Sequence, residues 1–119
     1  MLVNADCTVI EVTSSTNITF RAVHYIKEVY WNDCRGRTVS KNGVQTADAL
    51  IVYLYHTDYI PKPGDIILRG TVVISDGSTQ EKASAAVREL KAVNPGFAVV
   101  KNVHDARYGG LPHMELIAR

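Results

Sequence analysis

Cysteine is scarce in this chain: Cys7 and Cys34 are its only thiols in 119 residues. Two cysteines outside any CxxC pair cannot build a disulfide framework, and both are expected to be reduced. An excess of one charge is also missing. There are 13 Lys and Arg against 12 Asp and Glu, a net charge of +1. That argues against a protein held on nucleic acid by an overall positive field, while leaving a local basic patch open. No apolar run approaches the roughly 20 residues that cross a bilayer. The opening "MLVNADCTVIEV" has no basic stretch ahead of an apolar core, so it does not read as a signal peptide, and a cytoplasmic start is expected. Without secretion, "NIT" at 17–19 is a chance match to a glycosylation acceptor. The chain has no G-x-S-x-G, no Walker loop and no dinucleotide glycine pattern.

What is present is ordinary globular composition. Apolar residues make up 46% of the chain and charged residues 21%. The length fits a single domain over 1–119 that buries roughly two-thirds of its unfolded surface and needs no metal to fold. No internal repeat or low-complexity tract interrupts it.

Periodicity predicts a mainly β domain with one short helix. Cys7 to Val12 alternates and is β-branched, a first strand. "ITFRAVHYIKEVYW" is a long second strand whose Val23, Tyr25 and Ile26 cannot share a face. A bulge near His24 to Lys27, or a bend, resolves this. Arg37 to Ser40 is a short strand candidate, and Asn42-Gly43 is a strong hairpin signal. "ALIVYLYH" is nearly all apolar, which suggests a strand covered on both sides. "DYIPKPGD" cannot be regular, because Pro61 and Pro63 remove donors and Gly64 allows a sharp turn. "IILRGTVVIS" resumes the strand pattern, with a bulge expected at Gly70, and "FAVVKNVH" and "LPHMELIAR" close the chain as strands.

The helix is predicted at about 79–92. Ser78 and Glu81 stand in capping-box relation, Ala83, Ala86, Val87 and Leu90 recur at helical spacing, and "NPG" at 94–96 ends it. Its narrow stripe of small residues suits a plug or lid over the open end or edge of a sheet. The expected architecture is α+β: a small, strongly bent sheet or partly open barrel of six to seven mostly antiparallel strands.

Few residues promise chemistry. His24, His56, His104 and His113 show no metal-ligand spacing; His104-Asp105 and His113 with Glu115 come closest. Asp76-Gly77-Ser78 reads as a capped helix start. Tyr25, Tyr30 and Trp31, near Arg21, Lys27, Arg35 and Arg37, could stack bases if exposed, but Trp and Tyr more often anchor small β cores. The Pro-set loop could present Tyr59 and Ile60 to a partner.

Several segments in order, "NADCTVIE", "IKEVYWNDCRG", "DYIPKPGDIILRG", the short helix and "VVKNVHDARYGGLPHMELIA", carry a resemblance over most of the chain. They resemble uncharacterised small proteins from the structural modules of tailed phages and prophages of Gram-positive bacteria, often grouped with minor capsid or head–tail connector components. The pattern is also similar to the head-closure family: a small barrel, a mid-chain Trp–Asn–Asp step, a P-x-x-GD-type turn and a closing H-x-E strand. That resemblance marks Trp31, Asp33, Gly64, Asp65, His113 and Glu115 as structural positions. One departure is the helix before the last strands, which head-closure proteins do not regularly carry and the prophage group does.

The resemblance implies a non-enzymatic virion subunit acting in a ring through loops and strand edges, with no catalytic residues, cofactor or metal. Its partners would be copies of itself and portal, adaptor or tail components, with no membrane. It would reside in the bacterial cytoplasm during assembly and then in the virion. Partner contacts are expected at Asn42, Gly43, Tyr59, Ile60, Pro61 and Lys62. The alternatives are a nucleic-acid-binding barrel using Tyr25, Tyr30 and Trp31, and a small hydrolase or metal enzyme.

Overall fold

The computed structural model describes residues 3–13, 17–35, 49–106 and 112–119. Its elements are β1 (Ala5–Val12), β2 (Phe20–Asp33), β3 (Leu50–Leu54), β4 (Ile66–Arg69), α1 (Gln80–Val93), β5 (Ala98–Asp105) and β6 (Met114–Ala118). The strand candidate at Arg37–Ser40 and the Asn42-Gly43 hairpin lie outside the described residues.

All strand pairs are antiparallel, and the order β1-β2-β3-β6-β5-β4 returns to β1 to close a barrel. The mainly β class with one helix is the one the periodicity predicts. Closure goes further than a partly open sheet, and it pairs strand edges that would otherwise be free. Among the described residues it leaves only staggered strand ends for edge pairing. The connection from β3 to β4, residues 55–65, must cross the mouth of the barrel, because β4 lies beside β1 rather than β3.

The barrel interior is apolar, built on Val9, Val29, Trp31, Val52, Leu54, Ile67 and Leu116. In β2 the inward residues are Ile26, Val29 and Trp31, a sequence no regular strand can produce. The phase changes at a bulge. Ala5 pairs with Val29 and Cys7 with Ile26, so β2 carries an extra residue. Glu28 takes the left-handed conformation there, with φ 59°. Asp6 Oδ1 accepts from Glu28 N at 3.0 Å and satisfies the displaced donor. The bulge thus sits at Lys27–Glu28, at the far end of the segment whose alternation fails.

A second core lies outside the barrel. Ile10, Val12, Ile66 and Leu68 face outward from β1 and β4 and are covered by Leu90 of α1, with Val72, Ile74, Val87 and Phe97 around them. Ala83 and Ala86 are buried too, and their small side chains let the helix backbone approach the wall. The helix therefore clads one wall of the barrel and does not plug an end. Consequently β1, not the apolar run of β3, is buried on both faces. Ile51 and Tyr53 of β3 remain half-exposed.

The helix also begins one residue later than its expected cap. Thr79 is the N-cap and accepts from Lys82 N, whereas Ser78 is engaged by Asp76 through both its N–H and its hydroxyl. Asp76 competes for Ser78 because an Asx turn forms locally, before any helix is needed.

The approach to α1 passes close to β2. Gly77 O accepts from Phe20 N at 2.8 Å, and a Cβ on Gly77 would stand 2.2 Å from the Phe20 ring and 2.9 Å from Phe20 Cβ. Gly77→Ala should therefore cost about 1–3 kcal/mol of stability, read as a lowered urea midpoint at unchanged m-value.

Candidate functional site

The mouth of the barrel is where the strands change from apolar to polar. On the inward rows, Glu11 follows Val9 in β1, His24 precedes Ile26 in β2, and Asp65 precedes Ile67 at the start of β4. Val9 pairs with both His24 and Ile67. Strand alternation therefore aims Glu11, His24 and Asp65 toward one another, and the crossing loop lays Tyr59 among them.

Asp65 is fully buried, 0% exposed. Its Oδ2 accepts from the Tyr59 hydroxyl and from Lys62 N at 3.1 Å. Its Oδ1 accepts from Val12 N at 3.3 Å and from Lys62 Nζ at 2.9 Å. Asp65 N donates back to Lys62 O at 3.1 Å, and Asp65 O accepts from Val100 N at 2.8 Å. One residue thus ties together the loop, β1 and β5. Gly64 makes the turn possible with φ +99°, a conformation side chains rarely adopt, and donates its N–H to Val100 O.

Tyr59 continues the network on its other face. Its ring stacks on His24 with centroids 3.9 Å apart and planes within 3°. His24 Nε2 lies 3.2 Å from Glu11 Oε1, and Glu11 Oε2 lies 3.4 Å from Arg21 Nε. Thr57 Oγ accepts from Tyr59 N at 3.2 Å and donates to Tyr59 O at 2.6 Å, fixing the backbone. Burial raises the Tyr59 pKa, and the hydrogen bond to Asp65 and the Asp65 and Glu11 charges push the same way. This is a set of mutually satisfied polar groups that closes one end of the barrel.

The partner-contact candidates divide accordingly. Tyr59 and Lys62 are engaged with Asp65, Pro61 is buried, and Ile60 projects with 48% of its surface exposed. Asn42 and Gly43 fall outside the described residues.

The base-stacking trio does not form a common platform. Trp31 is 5% exposed inside the barrel. Tyr30 packs outside against Tyr53, and Tyr25 donates to Val72 O. Of the nearby cations, Arg21 meets Glu11. Arg35 binds Asp33 and the carbonyls of Phe97 and Pro95, which ties β2 to the turn after α1.

The remaining histidines are apart: His56 is 3.7 Å from Glu28, and His113 packs on Tyr53. Burial raises the Tyr53 pKa, with Glu115 adding to it. Among the described residues no three His, Cys, Asp or Glu side chains are grouped to hold a metal. No helix among them is long and apolar enough to cross a membrane.

Glu11, His24 and Asp65 as one group were missed from the sequence. The available signal was a polar residue two positions from an inward apolar one, in three strands at once. Only the pairing register brings those three signals to the same level.

A family model described as a family of unknown function (DUF6751) matches residues 2–119, and the chain belongs to that family. No curated protein and no solved structure matches the chain.

Asp65→Ala leaves Val12 N, Lys62 N and the Tyr59 hydroxyl without their acceptor and should destabilise the fold by about 3–5 kcal/mol in chemical denaturation. Tyr59→Phe should cost about 1 kcal/mol. Because folding raises the Tyr59 pKa, its contribution is complete below about pH 10, the ordinary tyrosine value, and is lost as pH rises further. Tyr59→Phe should therefore flatten the alkaline limb of a stability–pH curve.

Burial, with the Asp6 charge second, pushes the Cys7 thiol up to about 12. Cys7 should stay unreactive to a disulfide-exchange reagent in the native state and become reactive in urea.

Proposed function

We propose that this member of the DUF6751 family is a non-enzymatic structural subunit of a phage or prophage virion, a head–tail connector or minor capsid component that forms a ring. The observation that carries the reading is the direction of the polar chemistry. The convergent polar groups, Glu11, His24, Asp65 and Lys62, are tied to one another and to the crossing loop, so they hold structure in place. Apolar surface is presented outward at separate places, with Val73 90% exposed, Val93 67% and Ile60 48%. Contacts between different patches on successive copies are the kind that close into rings.

The order of segments resembling phage structural-module proteins supports the same reading, with Trp31 filling the interior and Gly64-Asp65 fixing a turn. Its partners are copies of itself and neighbouring portal, adaptor or tail proteins. Induction of a prophage encoding this chain tests the proposal. Mass spectrometry of gradient-purified particles should recover it at a fixed ratio to portal, and its deletion should yield filled heads without tails. Tailed, infectious particles from the deletion strain, or particles lacking the protein, would remove the reading.

A further inference from the structure

In the closed strand order the β3–β6 pair stands opposite the β4–β1 wall that α1 clads. Leu50, Val52 and Leu54 point inward from β3, and Met114, Leu116 and Ala118 point inward from β6. Alternation therefore turns Tyr53 and Glu115 outward. The pairing register sets them side by side: Tyr30 of β2 opposes Tyr53, and Tyr53 opposes Glu115.

Four rings gather on this face. Tyr30 and Tyr53 have centroids 5.4 Å apart and planes tilted by 45°. Tyr53 and His113 stand at 4.5 Å and 41°, and Tyr55 and His113 at 6.2 Å and 55°. All four are half-buried, and so is Glu115. Yet among the described residues this carboxylate makes no ion pair and no hydrogen bond. His104 opposes it on β5, exposed and outside ion-pair distance. The Glu115 charge is felt at the Tyr53 phenol, whose pKa is raised first by burial and next by Glu115.

Two separate features select one kind of ligand. Aromatic faces carry partial negative charge and attract cations, and a carboxylate without a counter-charge does the same. A guanidinium answers both at once, because it is flat enough to stack on a ring and donates two parallel N–H groups to a carboxylate. A lysine ammonium is a point charge and does neither.

We propose that Glu115, with Tyr30, Tyr53 and His113, receives an arginine side chain of another protein. The guanidinium stacks on a tyrosine ring and pairs with the carboxylate, which makes the wall opposite α1 a recognition face. The inference goes beyond the ring-subunit reading and stands without it.

The probe is a short glycine–serine peptide with one central arginine, titrated into the full chain and followed by NMR. Saturable shifts are expected at Tyr30, Tyr53 and Glu115, and the same peptide with lysine in place of arginine should bind more weakly. Glu115→Gln, which keeps the side chain's shape, should weaken binding about threefold to fivefold. Tyr53→Leu, with folding checked by thermal melting, should weaken it about threefold. No saturable shift at tens of millimolar peptide, equal affinity for the lysine peptide, or binding indifferent to Glu115→Gln would overturn the inference. Shifts at these residues that follow protein concentration without peptide would seat a second copy there and overturn it equally.

Discussion

The carboxylate of Asp65 is the constraint on which the barrel's architecture depends. A charge with no solvent contact is tolerable only when its lone pairs are filled, and here two backbone N–H groups, a phenol and an ammonium fill them. Those donors come from β1 and from the loop that crosses the mouth. Satisfying the charge therefore also positions the crossing. The strand order forces that crossing, since β4 must reach β1 from the far side of β3. The Tyr59 ring then gains a stacking surface in His24, and the barrel mouth is closed with polar groups where apolar ones would leave backbone unsatisfied.

Two cores share the wall formed by β1 and β4. The interior is filled by side chains from every strand, while the outer core exists because α1 returns across that wall. The division follows from alternation: Cys7 and Val9 go inward, and Thr8, Ile10 and Val12 go outward under the cover of the helix and its approach. Thr8 handles the polar step in this layer, with its hydroxyl donating to Gly70 O and accepting from Val72 N. Gly70, with φ +83°, ends β4 and sends the chain over β1 toward the helix, so it acts as a terminator where the sequence suggested a bulge.

Local signals were readable in the sequence, and long-range ones were not. Alternation located β1, β5 and β6 closely but overran β4, which ends at Arg69 and does not continue to Ser75, and the failed alternation around His24 to Lys27 marked the bulge at Lys27–Glu28 within a residue. The Ala83–Leu90 spacing gave the helix and its buried face. The covered wall is not legible there, because the apolar content of "ALIVYLYH" says nothing about where a helix that begins only at Gln80 will land. Tyr53 and Ile51 tolerate half-exposure on the outer face, while the shorter side chains of β1 receive the helix. Asp65 looked like a turn residue because Pro61, Pro63 and Gly64 surround it. Its role as a buried acceptor depends on Val12, which is 53 positions away in the chain.

The double burial of β1 has a consequence for how the protein is made. This strand leaves the ribosome before its β4 neighbour and before the helix that shields its outer face, which are synthesised later. Until then "CTVIEV" is a short, β-branched, sparsely charged stretch with only β2 to pair with, the composition that favours adhesion between nascent chains. Slowing translation between β2 and α1 would lengthen that unprotected interval, so the yield of soluble protein is tied to the pace of synthesis through the middle of the chain.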